Sequence, residues 1–117
     1  MENSILNSVK KAIGIYPEYT DYDDTIIMHI NTILMNLNTM GIGTEGYFTI
    51  TGDTETWDQF ITGNSEDLVA IQTYVALKVR LLFDPPSNSF VIDSINKQLA
   101  EIEYRLYVMA DNNTYSS

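Results

Sequence analysis

A single histidine, His29, and three clustered acids, Asp21, Asp23 and Asp24, are the residues of this chain whose types most readily suggest chemistry. An imidazole can move a proton near neutral pH, and neighbouring carboxylates can hold a hard cation. Neither arrangement is completed by its surroundings. The acids lack the downstream Gly and bidentate Glu of a calcium loop, and acids at a helix start are explained by the positive end of the helix dipole. His29 lies between Ile26 and Ile33 at the edge of an apolar stripe, with no second titratable group placed to assist it. Its expected role is that of a boundary residue hydrogen-bonded to a neighbour.

Other constellations fail in similar ways. Gly41-Ile42-Gly43-Thr44-Glu45-Gly46 matches G-x-G-x-x-G by letter. A dinucleotide site needs a strand before that motif and a helix opening within it, whereas this one follows a helix, and Glu45 would repel a pyrophosphate. A helix exit and turn is the expectation. Glu101 and Glu103 stand two apart on a helix, so they point to different faces and cannot flank one bond. There is no nucleophile elbow, no H-E-x-x-H and no cysteine, which removes thiolate chemistry as well. The expectation is a protein without enzymatic activity, needing no cofactor or metal.

The chain that would position such residues has 117 of them and a formal charge of −10, with 16 acids against 6 bases. That length suits one domain, and 44% hydrophobic residues suffice for a core without disulfides. No apolar run approaches the roughly 18 residues of a membrane span, and the first residues do not read as a secretory signal. Between Ala12 and Leu77 there is no Lys or Arg, while Glu18, Asp21, Asp23, Asp24, Glu45, Asp53, Glu55, Asp58, Glu66 and Asp67 are all negative. The flanking segments balance. One strongly negative region is expected, which disfavours ordinary groove binding to nucleic acid.

Periodicity predicts a mainly α fold of about four to five helices, with a short extended or hairpin insert near 46–52. Ile5, Leu6, Val9, Ala12 and Ile13 share one face of a first helix, which Gly14 stops. Thr20 is the expected cap of a second helix over 21–40, with Ile26, Ile30, Ile33, Leu37 and Met40 forming its stripe; Met28 and Met35 beside it are assigned to core, with an adaptable contact surface as the alternative. Thr54 is expected to cap a short helix that turns Trp57, Phe60 and Ile61 inward. Asn64-Ser65-Glu66-Asp67 opens an apolar helix that ends at Asp84-Pro85-Pro86. Ser87 or Ser89 then caps a last helix with Ile92, Ile95, Leu99, Ile102, Leu106 and Met109 on one side. Residues 1–110 are read as the domain and 111–117 as a flexible polar tail.

Read in order, these segments resemble the head-tail connector, or adaptor, proteins of tailed bacteriophages. The resemblance rests on the acidic helix start leading into His29-Ile30-Asn31, Gly41-Ile42-Gly43, Trp57-Asp58-Gln59-Phe60, the stretch from Tyr74 through Leu77-Lys78-Val79-Arg80-Leu81-Leu82-Phe83-Asp84-Pro85-Pro86, and Gln98 to Leu106 with its Glu103-Tyr104-Arg105. It implies a helical structural subunit of the virion, made in the host cytoplasm. Such subunits assemble as a ring of about twelve copies under the portal at the capsid vertex. The ring extends the DNA channel and offers a platform to a stopper or tail-completion protein. The family also implies a C-terminal segment that reorganises on portal docking, here Asp111, Asn112, Asn113, Thr114 and Tyr115.

Two expectations join the resemblance to the charge pattern. A channel wall should pass DNA without retaining it, which places Glu45, Asp53, Glu55 and Asp58 at the lumen or its rim. Asp93, Lys97, Glu101 and Arg105 form an i,i+4 ladder of alternating sign and, with Lys78 and Arg80, are candidates for pairing between neighbouring subunits. The alternative from another class is a small acidic regulatory protein, a DNA mimic or protein inhibitor, using the same negative segment as a phosphate decoy.

Overall fold

The computed structural model describes residues 3–43, 47–61 and 65–115, and of 65, 66 and 111–115 it describes the backbone alone. Among the described residues there are five helices and no strand: α1 (Ile5–Ala12), α2 (Asp23–Thr39), α3 (Trp57–Phe60), α4 (Ser65–Phe83) and α5 (Ser89–Tyr115). The mainly α expectation holds.

Helix α4 packs against α1, α2 and α5, and the core forms around it. Ile71, Val75 and Val79 of α4 meet Ile5 and Val9, the α2 stripe of Ile26, Ile30, Ile33, Leu34 and Leu37, and Leu99 and Leu106, all buried. Each such side chain removed from water contributes about 1.5 to 3 kcal/mol, which is why the apolar spacing sets the helix orientations. Met28 and Met35 correct the sequence reading. They are 58% and 45% exposed, on the side of α2 that the stripe leaves in water.

The helix ends also differ from expectation in their chemistry. Thr20 does not cap α2: its carbonyl accepts from the Asp23 N–H in a turn, and the cap position belongs to Tyr22 without a side-chain bond. Ser4 caps α1, its Oγ accepting from the Asn7 N–H at 3.2 Å. The cap position of α3 is Thr56, not Thr54, with the Gln59 Oε1 accepting from the Thr56 N–H. For α5 the cap is Asn88, between the two predicted serines, its Oδ1 accepting from Phe90 at 2.8 Å and Val91 at 3.3 Å. The shift at α5 has a simple cause, since the capping oxygen must reach the N2 or N3 amide and a neighbouring Ser, Thr or Asn can do so equally well.

The G-x-G-x-x-G letters resolve as a helix exit. Gly41, at φ +95°, donates to Asn38, and Ile42 donates to Leu37, the paired bonds of a Schellman ending. Gly43 follows at φ +94°, and a Cβ there would stand 2.6 Å from the Phe60 ring. The remaining G-x-x-G letters, Thr44 to Gly46, lie outside the described residues, as does Asn64 at the predicted start of α4. Tyr47 to Ile50 form a run without turn or bend and without a partner strand. An isolated antiparallel bridge, Ser4 to Thr56, fastens the first described residues across the short α3, with Ile5 donating to Glu55 and Trp57 to Asn3. The α5 backbone continues as helix through 111–115, where the sequence reading sets a flexible tail.

Candidate functional site

Most of the charged residues singled out from sequence fall on three surfaces. The first is the α4–α5 seam. Tyr74, buried on α4, donates from its hydroxyl to Glu103 Oε1 at 3.1 Å, and Lys78 approaches the same oxygen at 3.7 Å while its Nζ lies 5.6 Å from the Tyr74 ring centre. Burial, then the Glu103 charge, pushes the Tyr74 phenol up to about 12. Lys78 is therefore engaged inside its own subunit. Glu103, the residue that gathers this seam, has no counterpart in the charge ladder read from sequence. Its position four residues before the exposed Tyr107 and one turn from Leu99 and Leu106 was the available signal.

The second surface is the outer face of α5. Asp93, Lys97, Glu101 and Arg105 are all exposed, and among the described residues none forms an ion pair within the chain. Beside them stand Tyr104, Tyr107 and Val108, 73%, 57% and 42% exposed, at the i, i+3, i+4 spacing of a helical stripe. Sequence reasoning missed this stripe because the stronger one opposite, ending at Leu106 and Ala110, accounts for the core. Arg80 is exposed elsewhere, at the rim of a groove of about 420 Å³ between α1 and α4 whose floor includes Val9, Ala76 and Leu77. The structure does not bring Arg80 together with the α5 ladder in one described contact.

The acids of the middle segment form the third surface. Asp53 is exposed, and Asp58 is exposed with its Oδ2 accepting from Asn3 at 3.2 Å. Glu55 is half-buried and turned to its own loop, accepting from the Thr51 N–H at 2.9 Å, the Thr51 hydroxyl at 2.8 Å and the Gly52 N–H at 3.3 Å. Burial raises its pKa, but the hydrogen bonds from Thr51 and Gly52 outweigh that and hold the carboxyl below the usual range. Glu45 and the side chains of Asp111, Asn112, Asn113, Thr114 and Tyr115 lie outside the described ones.

Asp23 has a structural task. Its Oδ1 lies 2.7 Å from the ammonium of Lys10, which is completely buried and also donates to the carbonyls of Pro17 at 2.9 Å and Tyr19 at 2.7 Å. Of the three acids at this helix start, Asp23 thus serves to neutralise a buried base, while Asp21 and Asp24 are exposed. Among the described residues no three His, Asp or Glu side chains gather where they could hold a metal ion, and no helix is long and apolar enough to cross a membrane.

What these surfaces offer is contact: an unpaired charge ladder and an aromatic stripe on a long helix, and a separate acidic loop. Comparison with curated proteins and with solved structures returned no match. The profile of a family described as phage connector protein matches residues 5–113, nearly the whole chain. With α1 to α5 falling almost entirely inside that match, the chain belongs to the phage connector protein family, a family of phage structural proteins.

Proposed function

We infer that this protein is a ring-forming head-tail adaptor, docking under the capsid portal, extending the DNA channel and carrying the next stopper or tail-completion protein. The observation that carries the reading, beside family membership, is the outer face of α5. A helix that keeps Tyr104, Tyr107 and Val108 in water next to four unpaired alternating charges is built for a neighbour. In a closed head-to-tail ring each subunit meets its neighbours through two different surfaces. Asp93, Lys97, Glu101 and Arg105 supply one such surface, and Arg80, on the α1–α4 groove rim, supplies a cation for the other. Lys78 contributes through the α4–α5 seam.

Repetition around the ring multiplies the negative field of each subunit. In this reading Asp53 and Asp58, both exposed, face the lumen and repel the phosphate backbone during transit, and the sequence adds Glu45 to them. Glu55 supports that loop through its bonds to Thr51 and Gly52. Residues 111–115 reach toward the portal as the end of α5. The direct test is charge reversal at Arg105 with particle mass as readout. R105E should weaken ring formation on the portal while circular dichroism stays unchanged, and unaltered ring formation by both R105E and R80E contradicts the interface.

A further inference from the structure

The side of α2 facing away from the core carries a shallow groove of about 440 Å³, lined by Ile27, Met28, Asn31 and Met35 on the helix and by Tyr47 and Phe48 alongside. Its apolar groups are in water: Met28, Met35 and Tyr47 are 58%, 45% and 76% exposed. Methionine side chains adapt to many contours, which suits a contact surface more than a core.

The groove's second wall has the form of an unpaired strand. From Tyr47 to Ile50 exposure alternates residue by residue, Tyr47 and Thr49 outward, Phe48 and Ile50 inward, as in a half-buried strand. Phe48 packs on Phe60 at 5.6 Å between ring centres, which fixes the run to the core. Ile50 alone has its backbone satisfied, because the Asn31 amide takes its N–H at 2.7 Å and donates to its C=O at 3.0 Å, as a neighbouring strand would. Among the described residues the backbone groups of Tyr47, Phe48 and Thr49 bond to no protein group. An exposed edge of this kind is a template for strand addition.

Charge identifies the occupant. Asp24 is the only charged residue among the described residues that line the groove, and the segment from 12 to 77 around it has no Lys or Arg. A second copy of this chain does not answer that charge with an extended segment, because Lys10, Lys11, Lys78, Arg80, Lys97 and Arg105 all lie on α1, α4 or α5. We propose that the groove docks an extended segment of a different protein as a strand beside residues 47–50, with apolar side chains over Met28 and Met35 and a Lys or Arg toward Asp24. The surface is separate from the outer face of α5, so this docking stands or falls independently of ring assembly.

The experiment is a methyl and amide NMR titration of the full chain with two synthetic eight-residue peptides, one alternating valine with lysine and the other alternating valine with glutamate. The lysine peptide should shift the Met28 and Met35 methyls and slow amide exchange at 47–49, and the glutamate peptide should bind at least about tenfold more weakly. M28D and M35D, both at exposed positions, should each weaken lysine-peptide binding while leaving circular dichroism unchanged. Equal response to both peptides, shifts confined to other surfaces, no response at millimolar peptide, or undiminished binding by both variants overturns the proposal.

Discussion

Lys10 and Asp23 form a pair in which a buried charge is tolerated only because every neighbour is arranged for it. The ammonium has a carboxylate and two carbonyls, and the Asp23 Oδ1 has no other hydrogen-bond partner among the described residues. Removing one member leaves the other uncompensated, so K10A should cost about 3 to 5 kcal/mol in denaturant unfolding, whereas replacing both members with apolar residues should cost much less. Equal losses for the single and double variants would contradict the pairing. Glu55 makes folding sensitive to pH, because its carboxyl is held below its unfolded value of about 4.3. Its contribution is complete above that value and is lost as pH falls through the folded pKa. Unfolding of E55Q should therefore be less acid-sensitive than that of the wild type, and identical pH profiles would contradict the loop assignment. Lys10 was partly legible in the sequence, four residues after Leu6 and three before Ile13 on the apolar face. Its partner was not, because which carboxylate closes a buried ion pair depends on how the chain turns at 14–22.

At the scale of elements, the periodic spacing carried most of the fold. The stripes of α2 and α5 fell on the side facing α4 because hydrophobic burial is proportional to area and the spacing of apolar residues decides which side has that area. What spacing could not decide was the far side of each helix. Met28 and Met35 are apolar and seven apart, which satisfies a core rule, yet the stripe beside them already fills the space against α4. Capping residues were similarly misplaced by one or two positions, since Ser87, Asn88 and Ser89 are all competent by type. The α4–α5 seam gives the test at this scale. Y74F should cost about 1 kcal/mol by deleting the hydrogen bond to Glu103, and it should remove the phenol that titrates near 12 from the alkaline absorbance curve. No change in the late part of that curve would contradict the seam. Gly43 offers a second check: G43A must bring a Cβ into the Phe60 ring from a positive φ, and a loss of about 1 to 3 kcal/mol is expected in thermal unfolding.

For the whole molecule, the charge of −10 and its concentration between residues 12 and 77 were plain in the sequence, and family membership gives them a setting. The structure distributes the acids among different tasks. Asp23 neutralises a buried base, Glu55 ties a loop, and Asp53 and Asp58 remain on the surface. The proposed channel repulsion consequently draws on a smaller set than the sequence alone would nominate. Placing Lys at Asp53 and Asp58 together should make assembled rings retain DNA at low salt and release it as salt rises. Salt-independent or absent retention in rings of normal size would remove these acids from the lumen.

Whether the subunit assembles on a portal is decided by particle mass. Mass measurement of the purified protein alone and mixed with its cognate portal should show portal-bound rings of about a dozen subunits. A subunit that stays monomeric and unbound at concentrations saturating for such interfaces would contradict the adaptor account.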